Sequence, residues 1–327
     1  MNTIQKAIYG WMKDAVNTWD HFWFTAIDTA TLATIRFFTG LMLLYTHLVW
    51  SLDLSSFFGP QGWITGDVLQ QTWELQGGEN HYFWSHFLAI DSVSFLWIAH
   101  GFALLIFLML TLGVFSRTSA IFAFLLTVSY MHRAAGALFG LDQINVMLTM
   151  YLVIGPCGDR FSVDAWWRER RQRNEPMGSK RRDFISANIA IRLIQIHMCV
   201  IYFFAGARKM LGGSWWDGSA MWLSIANYEY QTVDLTWLAD WPVLLAFLTH
   251  VIVLFELFYC VLIWNRLTRP VVLLTAVLMH LGIATCLGMA TFGLAMLIGN
   301  IAFIAPDLLL ALCPQKSAGR LQPSRGG

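Results

Sequence analysis

NIAIRLIQIHMCVIYFFAGARKMLGGSWWDGSAMW, residues 188–222, carries an apolar run into two adjacent cations and then into a turn rich in glycine and tryptophan. The run 188–206 holds 19 residues. At about 1.5 Å of helical rise per residue it nearly matches a hydrocarbon layer of roughly 30 Å. The stretch therefore reads as a membrane span that ends at Arg208 and Lys209. Counting back by turns from Lys209 places Ala205, Tyr202, Met198 and Gln195 on its face, with Arg192 one turn deeper; His197, Ile201 and Arg208 share a neighbouring face. Lipid offers Gln195 no hydrogen-bonding partner, so the first face must turn toward other spans.

The rest of the chain has the same character. Of its 327 residues 57% are hydrophobic and 13% charged, whereas charged residues approach a quarter of a soluble domain. This is an integral membrane protein, all-α because a polytopic chain of helices satisfies its backbone within the bilayer. The net charge of +1 and the gathering of basic residues at one membrane face give no groove or stripe for nucleic acid. The five cysteines, Cys157, Cys199, Cys260, Cys286 and Cys313, fall in spans or on the basic side, where structural disulfides are not expected. There is no CxxC pair, HExxH motif or phosphate-binding glycine loop, and Glu79, His81 and His86 lack a fourth ligand, so no metal site is expected.

Apolar periodicity places an amphipathic helix at 3–24, lying in the interface through Ile4, Ile8, Trp11, Met12 and Trp19. About eight spans follow, near 31–50, 93–114, 119–131, 138–154, 188–206, 243–264, 271–287 and 291–305. They form one transmembrane domain, 1–313, with a polar, disordered tail at 314–327. Arg36 lies close enough to one end of its span to snorkel to headgroups. The loops 51–92 and 210–242 hold nine acidic residues and no Lys or Arg, while 159–183 holds eight basic residues. The positive-inside rule then puts both acidic loops outside the cell inner membrane and both termini in the cytoplasm. Arg133, Arg208 and Lys209 are the exceptions to that pattern.

Two readings of Lys209 compete. It and Arg208 are a pair of headgroup anchors, or the fixed charge of Arg208 and partial desolvation keep the Lys209 amine neutral and able to act as a general base. Asp142, Arg192, His197, Glu256 and His280 are ionisable residues inside spans, which marks them as functional candidates or as interhelical partners. An unpaired buried carboxylate is costly, so Asp142 is expected to pair with Arg192. The glycines and Trp215 and Trp216 form either an interfacial turn or a lid over Lys209.

YFFAGARKMLGGSWWDGSAMW, residues 202–222, resembles the core motif of the vitamin K-dependent gamma-carboxylase-like membrane domain, the horizontally transferred transmembrane domain (HTTM). DTATLATIRFFTGLMLLY, residues 28–45, is similar to that family's first-span signature. The resemblance implies that Lys209, with Arg208 beside it, is the base that deprotonates a quinol such as vitamin K or menaquinol. It also implies a quinol-type pocket between spans near the outer face; the residues that spacing and polarity mark out, Tyr202, Gln195, His197, Trp215, Trp216, Asp142 and Arg192, are its candidate lining. Oxygen-dependent epoxidation and carbon dioxide addition to a glutamate belong to the same implication. The carboxylase's large lumenal region has no counterpart in a chain that ends about twenty residues past its last span, so peptide carboxylation is not expected. Nor has the histidine that the carboxylase carries on the loop and span corresponding to 138–145: alignment back from FSVDAWW puts Leu141 there, beside Asp142, and His132 would need a gap.

The expectation is an enzyme acting on a quinol- or lipid-like molecule, with membrane lipids as surroundings. The alternatives are a noncatalytic module that binds a quinone or lipid or assists a partner protein, and a transporter relaying charge through Asp142, Arg192 and Glu256. No internal repeat of the kind transporters show is evident.

Overall fold

The computed structural model describes residues 3–77, 83–171 and 182–312; the expected tail at 314–327 lies outside them. The first helix, α1 (Thr3–Phe24), leaves Ile4, Ile8, Trp11, Met12, Val16 and Trp19 exposed on one side, an apolar stripe that the protein itself does not cover. Its last carbonyls would be orphaned at the helix end. They are taken up by Asn188, whose Nδ2 donates to Phe22 O and Trp23 O at 2.8 and 3.0 Å, and by Arg192 Nε at 3.2 Å.

The first long apolar run becomes α2 (Ala30–Trp50), continued through a short turn into α3 (Leu54–Phe58); α4 (Gly66–Gly77) completes the following loop. Two antiparallel helices come next, α5 (Val93–Leu112) and α6 (Ser116–Arg133), then α7 (Gly140–Ile154) and the short basic α8 (Val163–Arg171). α9 (Ile185–Lys209) contains the apolar run 188–206 and ends at Lys209. It is followed by α10 (Gly213–Trp216) and α11 (Ala220–Ile225), then α12 (Pro242–Leu262), α13 (Arg269–Cys286), α14 (Ala290–Asn300) and α15 (Pro306–Leu312). Strand content among the described residues is a single short pairing, β1 (Ile27–Asp28) against β2 (Asp183–Phe184).

Five helical segments are long and apolar enough to cross a membrane, and six if Ala290–Phe303 and Pro306–Leu312, bent by 113°, count as one broken span. The expected eight are therefore not reached on length and composition. α7 is too short at 15 residues, and α6 is interrupted by Arg117, Ser119, Thr127, Ser129 and Arg133, which lower its mean hydropathy. α7 packs between α6 and α9, and α6 lies against α5 and α7 through a polar inner face while Ile121, Phe122 and Leu125 stay exposed on its outer one; a helix face covered by protein need not be apolar.

Contacts sort the two ends of the bundle. At one end Trp84 O and N meet His132 Nδ1, Arg133 donates to Gly59 O at 3.0 Å, and Gly140 abuts Phe292. Both acidic loops open there. Arg133, an exception to the charge pattern, is thus a buried tie to a loop carbonyl and not a surface charge.

At the other end Arg160 pairs with Asp28 at 2.6 Å and Gly155 lies against Ala190. The Asp164 carboxylate accepts from Phe115 N and Ser116 N at 2.9 and 2.7 Å, capping the start of α6. Arg36 does not snorkel. It is 0% exposed, and its guanidinium donates to Leu110 O, Thr111 O and Phe161 O, closing the last turn of α5. The reason is local: Gly113 at φ 69° ends α5 beside α2 and leaves those carbonyls facing Arg36.

Candidate functional site

The seam between α9 and α12 holds the site. Gly206 makes it close: a Cβ there would stand 3.0 Å from Leu257 N and Cγ and 3.1 Å from Glu256 Cβ. With the backbones in contact, Lys209, one turn further on, reaches across, and its Nζ donates to Glu256 Oε1 and Oε2 at 2.8 and 2.7 Å. The side chains are 25% and 8% exposed. The Trp215 ring stands over the ammonium at 5.2 Å from its centroid, an attraction between the cation and the ring's negative face.

The depth of this pair differs from expectation. Lys209 ends its helix, which suggested a position at the bilayer rim, but Glu256 is 14 residues into α12, about 21 Å from its start at 1.5 Å per residue. α12 runs well past the end of α9, and residues 212–225 fill the difference. They are pinned to α12 by Thr249, whose Oγ1 accepts from Met221 N at 3.1 Å and shares its proton between Gly218 O at 3.0 Å and Leu245 O at 2.8 Å. Gly218 is required there: its φ is 83°, and a Cβ would meet Ala246 Cβ at 2.6 Å.

Beneath the pair is a buried polar network. Tyr202 stacks on Tyr259 with centroids 4.0 Å apart. Asn300 Nδ2 donates to the Tyr202 oxygen at 3.1 Å and to Met296 O at 2.8 Å, while Tyr259 donates to Asn300 Oδ1 at 2.7 Å. The Tyr202 hydroxyl is then free to donate to His280 Nε2 at 2.7 Å, which puts the ring proton on Nδ1. That nitrogen is buried without a partner among the described residues. α9, α12, α13 and α14 each contribute a member.

Of the residues expected to line the site, Lys209, Tyr202 and Trp215 are brought together. Trp216 is 63% exposed and turns away, its Nε1 donating to Met210 O. Arg208 is exposed on the stripe of α9 that carries Ile196, Val200, Phe203 and Phe204. Consecutive helical residues project about 100° apart, so Arg208 cannot share the Lys209 environment. The amine held neutral by a neighbouring guanidinium is replaced by an ammonium paired with a carboxylate 47 residues away.

Gln195 ties α9 to Ala302 O at 2.7 Å and accepts from Arg192 Nη1 at 3.0 Å. His197 faces α7, meeting Tyr151 Oη at 3.0 Å. Asp142 and Arg192 do not pair. Asp142 accepts from Phe139 N at the start of α7, and Arg192 lies near the start of α9 between the Phe22 and Trp264 rings. α7 and α9 are antiparallel neighbours, Gly155 beside Ala190 and Tyr151 beside His197, so residues near the two amino termini are at opposite ends of the bundle.

Glu256 and His280 stood among the ionisable candidates, but their connection to Lys209 and Tyr202 was not foreseen. Tyr259 and Asn300 were missed altogether. The one sequence signal for Tyr259 is its placement three residues after Glu256, on the same helix face.

The HTTM domain family model matches residues 24–308. The chain belongs to the HTTM family. The matched HTTM region contains every member of the Lys209–Glu256 site and its supporting network, and the helices from α2 through α14. No curated protein and no solved structure matches the chain.

Proposed function

We propose that this HTTM protein crosses the cell inner membrane eight times with both termini cytoplasmic, and that Lys209 and Glu256 are the proton-transferring pair of an enzyme acting on an acidic hydroxyl of a quinol- or lipid-like molecule. The observation that carries the reading is the bidentate contact between Lys209 and Glu256 deep in the bundle, capped by Trp215. A buried ion pair is seldom the most stable filling of such a seam, since apolar replacements are often neutral or better. Intramembrane ionisable groups mark function for that reason.

The arrangement also supplies the proton route that a lysine base needs. Glu256 takes a proton from the Lys209 ammonium across 2.7 Å. The freed amine then accepts the proton of a hydroxyl placed at Nζ, and the substrate proton ends on the pair. Trp215 limits water at the amine, and the Tyr202–Tyr259 stack holds the floor of the site rigid. The quinol-like class rests on family membership and on the apolar surroundings of the pair. The two ends of the bundle support the orientation, since the acidic loops share one end and Arg160, Arg168, Arg170, Arg171, Arg266 and Arg269 belong to segments at the other.

The test is oxygen uptake by the full chain in proteoliposomes supplied with chemically reduced vitamin K or menaquinone. Lys209→Arg keeps the cation but removes a usable base. It should lower uptake at least about 100-fold, the usual contribution of a general base, while the protein still inserts and elutes as one species. Turnover equal to that of the unsubstituted chain, or none with either quinol in any form of the protein, would overturn the assignment.

A further inference from the structure

The segment over Lys209 borders a second, open-sided space. A cavity of about 360 Å³ lies between α10, α11 and the turn joining α13 to α14, with Trp215, Ser214, Ser224, Asn227, Tyr230 and Met289 among its walls. That volume is within the range of small-molecule sites. The frame is fixed on both sides, by Thr249 on Gly218 O and by Thr232 N donating to Cys286 O at 3.1 Å.

The chemistry of its walls differs from that of the Lys209 site. No wall residue carries a charge. The Ser214 and Tyr230 hydroxyls and the Nδ2 of Asn227 have no hydrogen-bond partner among the described residues, while Asn227 Oδ1 is already used by Glu229 N at 3.1 Å. Two aromatic side chains, Trp215 and Tyr230, stand among the walls. An ion there would find no opposite charge among the walls, whereas an uncharged ring with polar substituents would find aromatic side chains and unspent donors. Trp215 belongs to both spaces, since it lines the cavity and stands 5.2 Å from the Lys209 ammonium.

We propose that this cavity is a second ligand chamber, selective for an uncharged ring bearing hydrogen-bonding groups, and that Trp215 is the wall across which that ligand meets Lys209. The selectivity stands on the cavity alone; the meeting with Lys209 rests on the proton-transfer reading above.

The experiment places a reporter thiol in the full chain, Ser224→Cys in one protein and Leu223→Cys in a second, both at walls of the cavity, and follows modification by methyl methanethiosulfonate. Tyr228→Cys, at a residue 89% exposed, is the reference. Three ligands of one shape are compared: benzamide, benzoate and benzylamine. Benzamide should slow modification at both chamber positions by about threefold or more at millimolar concentration, with little effect from the two charged analogues and none at Tyr228→Cys. Equal slowing by all three, no slowing by benzamide, or thiols that no reagent reaches would each overturn the proposal. Repeating the protection in Lys209→Arg separates the two readings: protection should persist there even as turnover is lost. Absence of protection in a chain that keeps Lys209 and turns over, with turnover lost in Lys209→Arg, would sink the chamber and spare the base.

Discussion

Lys209 Nζ lies 2.8 and 2.7 Å from the two carboxylate oxygens of Glu256, and a glycine, Gly206, sets the helix spacing that permits it. Neither charge has a second opposite partner among the described residues. Each is therefore the other's sole opposite charge.

Removing one partner should cost far more than removing both. Glu256→Leu leaves a stranded ammonium and Lys209→Met a stranded carboxylate, each destabilising by about 3–5 kcal/mol, whereas the double substitution should recover most of that loss. Thermal unfolding of the four proteins in one detergent measures it. Single substitutions no worse than the double would show that the pair is solvated.

Arg36 should prove structural and intolerant of its nearest relative. Its fork reaches three carbonyls, Leu110, Thr111 and Phe161, and a lysine ammonium cannot span them. Arg36→Lys and Arg36→Met are both expected to lose about 2–4 kcal/mol, the cost of leaving buried carbonyls unpaired. Retained stability in Arg36→Lys would refute the geometric requirement.

The orientation can be read from two exposed positions. Leu75 in α4 and Tyr228 after α11 are both 89% exposed, and cysteines there should react with an impermeant maleimide added outside intact cells or spheroplasts. Reaction only after the membrane is opened would reverse the topology.

His86 should make the loop before α5 acid-sensitive. Burial holds its ring down to about 4, below the ordinary 6.5. Below pH 6.5 the unfolded chain binds a proton that the folded chain refuses until about pH 4. Stability is thus unaffected above 6.5 and falls as pH drops through that window, by at most about 1.4 kcal/mol per pH unit. His86→Gln should flatten this part of the stability profile; an unchanged slope between pH 6.5 and 4 would count against the burial of the ring.

Much of the site was legible as a list of residues but not as an arrangement. Lys209, Tyr202 and Trp215 lie within one continuous stretch, and helical counting alone separates Lys209 from Arg208 by about 100°. Yet adjacency in sequence suggested that Arg208 governs the Lys209 amine. Asp142 and Arg192 were matched as opposite charges without regard to direction, although antiparallel helices carry their amino-terminal turns to opposite ends.

Composition and hydrophobic periodicity by themselves determined that this chain is a helical membrane protein. The energetics of backbone groups in lipid leave an apolar chain of this pattern few other options. The same local logic placed the amphipathic α1 and gathered the acidic loops apart from the basic segments. Only the tertiary structure decided the depth of Lys209, its pairing with Glu256, and the network of Tyr202, His280, Asn300 and Tyr259. Those depend on how far α12 overshoots α9 and on which faces meet across Gly206. Register between helices is set by side-chain packing among residues distant in sequence, and no single helix's periodicity contains it.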